Sequence, residues 1–125
     1  MNINEVSGSV IDSAIKVHRL LGPGLLESAY EVCLIHELVK RGHSVTSQVG
    51  LPIVYDGCAI GVAYRLDLLV DNVVVVEVKA VEWLLPVHEA QLLSYLKLGG
   101  YKLGLLLNFN TVRLKDGIKR MVNNL

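Results

Sequence analysis

With 125 residues and 13.7 kDa, the chain has the size of one domain and can bury roughly two thirds of its unfolded surface. Hydrophobic residues make up 52% and the mean hydropathy is +0.46, which excludes intrinsic disorder. Twelve Lys+Arg balance twelve Asp+Glu, so bulk charge announces no nucleic-acid partner and any basic surface is local.

Asn4 to Leu21 reads as a first helix, with Asn4 as its N-cap and Val6, Val10, Ala14, Val17 and Leu21 at helical spacing. Gly22-Pro23-Gly24 stops it, and a second helix follows from Leu25 to Arg41, ending at Gly42. The pattern then changes to strands. His43–Val49 alternates weakly, Leu51–Tyr55 is a short apolar run, and Asp56-Gly57 marks a hairpin turn before Cys58–Val70. Asp71-Asn72 is a second turn, and the β-branched run Val73–Val76 opens a strand to Lys79 that suits cover on both faces. Pro86 at N1 begins a helix to Leu98, Lys102–Asn108 reads as a buried strand, and Asp116–Val122 as a short closing helix.

This order predicts a single α/β domain: an antiparallel meander joined through a right-handed helical crossover to a parallel strand, giving a mixed β-sheet flanked by helices. No apolar run approaches the ~18–20 residues of a membrane span, because Glu77 and Lys79 interrupt the longest candidate. The first five residues show neither a basic region nor an apolar signal core. Cys33 and Cys58 lack metal-ligand spacing, so two buried, reduced thiols in a cytoplasmic protein are expected. The aliphatic excess allows a homodimer interface.

Three groups of residues carry candidate chemistry. In Glu77-Val78-Lys79 the strand period places Glu77 and Lys79 on one face, inside a run where charge is costly unless paired or ligated. Asp67 occupies a matching apolar strand, and two carboxylates on neighbouring strands suit a hard divalent cation. Gln91 and Tyr95, spaced i, i+4, share a helix face with His88; Glu27 and Tyr30 follow the Gly22-Pro23-Gly24 break. A two-residue hairpin at Asp71-Asn72 would put Asp67 and Glu77 on opposite faces. A shared site therefore requires a three-residue loop, Asp71-Asn72-Val73, or a bulge between them.

The segment Gly24-Leu25-Leu26-Glu27-Ser28-Ala29-Tyr30 resembles the signature of the GxxExxY proteins, and Pro86–Gln91 and Asn108-Phe109-Asn110 also resemble that family. These proteins are similar to the PD-(D/E)XK nuclease superfamily, whose motif falls here on Asp67 and Glu77-Val78-Lys79, with Leu66 where the name has Pro. Gln91–Tyr95 resembles the QxxxY motif of the RecB and lambda-exonuclease-like branch. The resemblance implies a restriction-endonuclease-like αβββαβ core and hydrolysis of DNA phosphodiester bonds with Mg²⁺ or Mn²⁺. It implies that Glu27, Asp67, Glu77 and the Val78 carbonyl hold metal and that Lys79 and Gln91 join catalysis. Tyr30 and Tyr95 are then the expected substrate contacts, and Arg65, two positions before Asp67 on the same strand face, is a candidate phosphate contact. A noncatalytic nuclease-fold module, binding nucleic acid or a protein partner, remains the other expectation, as does action within a larger nuclease complex.

Overall fold

Asn2 and Glu5 start the first helix by exchanging side-chain and backbone bonds. The Glu5 N–H donates to Asn2 Oδ1 at 2.9 Å and the Asn2 N–H to Glu5 Oε1 at 3.3 Å. The cap is thus Asn2 and not Asn4, because only Asn2 has a glutamate three residues on. Helix α1 (Ile3–Leu21) ends at Gly22, whose φ of 70° turns the chain toward α2 (Glu27–Lys40). The computed structural model describes residues 1–125, with backbone alone at 62 and 63.

Strands β1 (Val45–Tyr55), β2 (Cys58–Val70) and β3 (Val74–Lys79) form an antiparallel meander. Helix α3 (Pro86–Gly99) then carries the chain to β4 (Leu103–Asn108), parallel to β3, and β5 (Ile118–Val122) closes the far edge. The sheet order is β1-β2-β3-β4-β5, the mixed, helix-flanked sheet that the sequence predicts. The two predicted strand pieces before Tyr55 are one strand, and its Pro52 is tolerated because β1 is an edge.

The closing helix expected at Asp116–Val122 does not form. A 3₁₀ turn (Leu114–Gly117) leads into β5 instead. The reason is tertiary: β4 is buried along its whole length and needs its outer N–H and C=O groups paired. Lys119 and Arg120 then face solvent along the new edge.

The sheet separates two apolar layers. On one face α1 and α2 pack Val10, Val17, Leu34 and Leu38 against Val74, Val76, Leu103 and Leu105. On the other face α3 packs Leu92 and Leu96 against Leu69, Val75 and Leu106. Gly104 permits that approach, since a Cβ there would lie 2.9 Å from the Leu92 side chain. Cys33 is half-buried and Cys58 exposed, both as free thiols; Cys58 lies near a turn at the sheet's tip, so the expected burial of both fails.

Candidate active site

The Asp71-Asn72 turn decides where the carboxylates lie. Val70 pairs with Val74, leaving the three-residue loop Asp71-Asn72-Val73, with positive φ at Asp71 and Asn72 and the Val73 N–H donating to the Val70 carbonyl. Pairing continues through Leu69↔Val75 and Leu68↔Val76, so Asp67 and Glu77 are the next residues to meet. The ladder stops there. In its place the Asp67 N–H donates to Glu77 Oε2 and the Val78 N–H donates to Asp67 Oδ2, both at 2.8 Å. Each strand's carboxylate thus occupies the other strand's backbone donor. The N–H and C=O of one strand residue point the same way, so the Val78 carbonyl also faces this gap.

A second irregularity meets the first. Gln48 of β1, which would face Asp67, is missing from the β1–β2 ladder and has φ 53°. Val45 packs in the α1–α2 layer but Val49 and Leu51 in the α3 layer. On β2, Leu68 and Val70 lie in the first layer and Leu66 in the second. Each set has one parity, so both strands rotate through the sheet at Gln48 and Asp67. The Gln48 Nε2 donates to Glu31 Oε1 at 3.0 Å, tying α2 to this turn.

Burial, then the Asp67 carboxylate, push the Glu77 carboxyl from 4.5 up to about 8, against the backbone bond and the Lys79 ammonium. Asp67 is also raised, first by burial, while the Val78 N–H, Lys79 and the Gln48 amide oppose the rise. Burial likewise raises Glu31, with help from Asp67 and Glu27. Four carboxylates therefore share one electrostatic neighbourhood with one half-buried lysine.

Of the predicted site residues, Asp67, Glu77, Val78 and Lys79 come together at the end of the ladder. Glu27 reaches the same end of β3, accepting a bond from the Ala80 N–H at 3.2 Å. Tyr95 is buried on α3. Burial first, then the Glu77 charge, raise its phenol, while the Gln91 amide beside it works the other way. Gln91 itself is exposed and reaches toward this site only through Tyr95. Arg65 is exposed and, among the described residues, makes no hydrogen bond or ion pair with this group.

Tyr30 does not fit the expected substrate contact. It has no exposed surface, stacks on Phe109 at 4.5 Å, donates to the Gly22 carbonyl at 2.6 Å and accepts from the Leu25 N–H. Its hydroxyl fastens the α1–α2 turn and thereby aims the start of α2, including Glu27.

Sequence reasoning missed Glu31, Gln48 and Asn108. Glu31 was findable, being four residues from Glu27 and so on the same helix face. Gln48 sits in a weak alternation with no local signal. Asn108, paired with Lys79 in the parallel ladder, holds both the Val81 N–H and carbonyl, at 3.0 and 2.9 Å, fixing the exit from β3.

Among the described residues no three His, Cys, Asp or Glu side chains are already gathered around a metal position. The donors at the Asp67–Glu77 pair nonetheless fit a hard cation. They are all oxygen, two carboxylates suffice when substrate and water complete the shell, and their raised protonation reflects burial first and neighbouring carboxylate charge second.

A family model described as the PD-(D/E)XK nuclease superfamily matches residues 4–121. The chain belongs to this superfamily. Nuclease activity and binding of nucleic acid are what the superfamily suggests, and its members generally use divalent metals. No curated protein and no solved structure matches the chain. No helix of the structure is long and apolar enough to cross a membrane.

Proposed function

We propose that this PD-(D/E)XK protein, of the GxxExxY type and the RecB-like branch, is a Mg²⁺- or Mn²⁺-dependent nuclease that hydrolyses DNA phosphodiester bonds. The observation that carries this reading is the crossed pair of Asp67 and Glu77, each bonded to the other strand's backbone where the ladder ends. A purely structural sheet would extend the ladder with apolar residues; here two costly carboxylates and a lysine replace it.

Asp67, Glu77, the Val78 carbonyl and Glu27 would hold the ion. When bound there, it would supply a nucleophilic water at neutral pH and offset phosphoryl charge. Lys79, on the face of Glu77, places its ammonium against the negative charge that grows as the phosphodiester is attacked. Tyr95 offers its phenolic hydrogen to a phosphate oxygen, Gln91 positions that phenol, and Arg65 meets the backbone farther along β2. Glu31 and Gln48 hold the turn that aims Asp67.

Labelled DNA incubated with purified protein tests this directly. Cleavage is expected with Mg²⁺ or Mn²⁺, abolished by EDTA and by Glu77→Ala or Lys79→Ala. Cleavage that survives both substitutions, or none with either metal, refutes the assignment.

A further inference from the structure

Trp83 is the one tryptophan of the chain, and 72% of its surface is exposed. A bare indole is an unusual use of the largest apolar side chain. It does not hang on a loose tip. The segment between β3 and α3 is anchored at Ala80 by Glu27, at Val81 by Asn108, and at Leu85, whose N–H donates to His88 Nδ1 at 3.0 Å. Trp83 is therefore held in place four residues beyond Lys79.

Beside it lies a cavity of about 470 Å³ lined by Trp83, Asn108, Asn110, Thr111, Asp116 and Lys119 among others. That volume falls within the range of small-ligand sites. The cavity opens at the carboxyl ends of the parallel pair β3–β4, where open α/β sheets bind ligands. Asn108 both lines it and pairs with Lys79, so it adjoins the Asp67–Glu77 site. Its wall offers Asn110 Oδ1 and Thr111 Oγ1 as acceptors and the Lys119 ammonium as a donor, the Asn108 amide being taken up by Val81, while Glu82 and Asp116 outnumber Lys119 and disfavour a phosphate there. A neutral planar ring with N–H and carbonyl edges matches such a lining.

We propose that Trp83 and this cavity receive an unpaired nucleobase, so that single-stranded DNA is the preferred ligand of the proposed nuclease site. A base inside a duplex has both faces covered by its neighbours and offers none to the indole. The balanced charge of the chain agrees: without a net positive charge to draw the phosphate backbone, stacking carries a larger share of the affinity. The proposal rests on the nuclease reading for the cleavage step alone; the binding stands apart from it.

The single tryptophan makes the test direct. The full chain in EDTA is titrated with oligo(dT), following indole fluorescence, while the anisotropy of a labelled copy reports binding independently. Saturable quenching is expected, with duplex of equal length competing at least about tenfold less well. Trp83→Ala should weaken binding about tenfold at an unchanged melting temperature, and Trp83→Phe should recover most of the loss. Binding without quenching, equal affinity for duplex, unaltered affinity of Trp83→Ala, or no binding at all overturns the proposal. Quenching without metal-dependent cleavage would sink the nuclease reading alone; cleavage without quenching would sink this one alone.

Discussion

The two halves of β3 belong to one continuous strand and do opposite things. Val74, Val75 and Val76 are hydrogen-bonded to a strand on each side and buried against a helix layer on each face. Glu77, Val78 and Lys79 keep β4 on one side but lose β2 on the other. At the open side, carboxylate oxygens take the amides that a continuing strand would have taken. The first half shows how a sheet is made stable. The second shows how the same sheet is opened at little cost in unpaired backbone, with two buried carboxyl groups at the opening.

Substitutions should separate the halves cleanly. The largest effect is expected at the open end, where Glu77→Ala or Lys79→Ala should lower DNA cleavage at least a hundredfold in single-turnover assays while leaving the circular dichroism spectrum unchanged. In the closed half the same truncation should act on stability instead. Leu105, fully buried and paired with Val76, should cost about 2–5 kcal/mol on replacement by Ala, measured by urea unfolding. Cleavage per folded molecule should then be unchanged. A large activity loss from Leu105→Ala in folded protein would blur the distinction.

Metal should sharpen it. An ion that binds only the folded site adds roughly 2.7 kcal/mol at a hundredfold excess over Kd, so Mn²⁺ or Mg²⁺ should raise the melting temperature. Asp67→Asn should blunt the rise. An unshifted wild-type melt at millimolar Mn²⁺ speaks against the site.

Without metal, the open half should respond to pH. Glu77 ionises at about 8 in the fold against 4.5 when free, so the folded state holds its proton more tightly than the unfolded state does. That stability is fully present below 4.5 and drains away as pH rises through about 8. Melting curves in EDTA should therefore fall across this window, and Glu77→Gln should flatten them. A smaller effect is expected at Gln48, whose positive φ glycine adopts without strain. Gln48→Gly should change stability by less than about 1 kcal/mol yet lower cleavage, because the backbone turn is kept while Asp67 and Glu31 lose the Gln48 amide. Full activity in this variant would show that the Gln48–Glu31 bond does not matter.

Much of this was legible in the chain itself. Local periodicity and punctuation placed the three long helices, the hairpins at Asp56-Gly57 and Asp71-Asn72, and the helical crossover to a parallel strand, because these depend on neighbours within one or two turns. The parity of Asp67 and Glu77 demanded, for a shared site, either a three-residue loop or a bulge, and the loop with Val73 is the one that forms. Tertiary structure alone decided the rest. Ile118–Val122 became a strand because buried β4 needed a partner, and Tyr30 became a buried latch because Phe109, from 79 residues away in sequence, supplied a ring to stack on. Gln48 entered the site only because β1 and β2 rotate together at one level of the sheet. Such outcomes turn on which backbone groups and surfaces remain uncovered after the other elements have packed, and no local window of sequence contains that information.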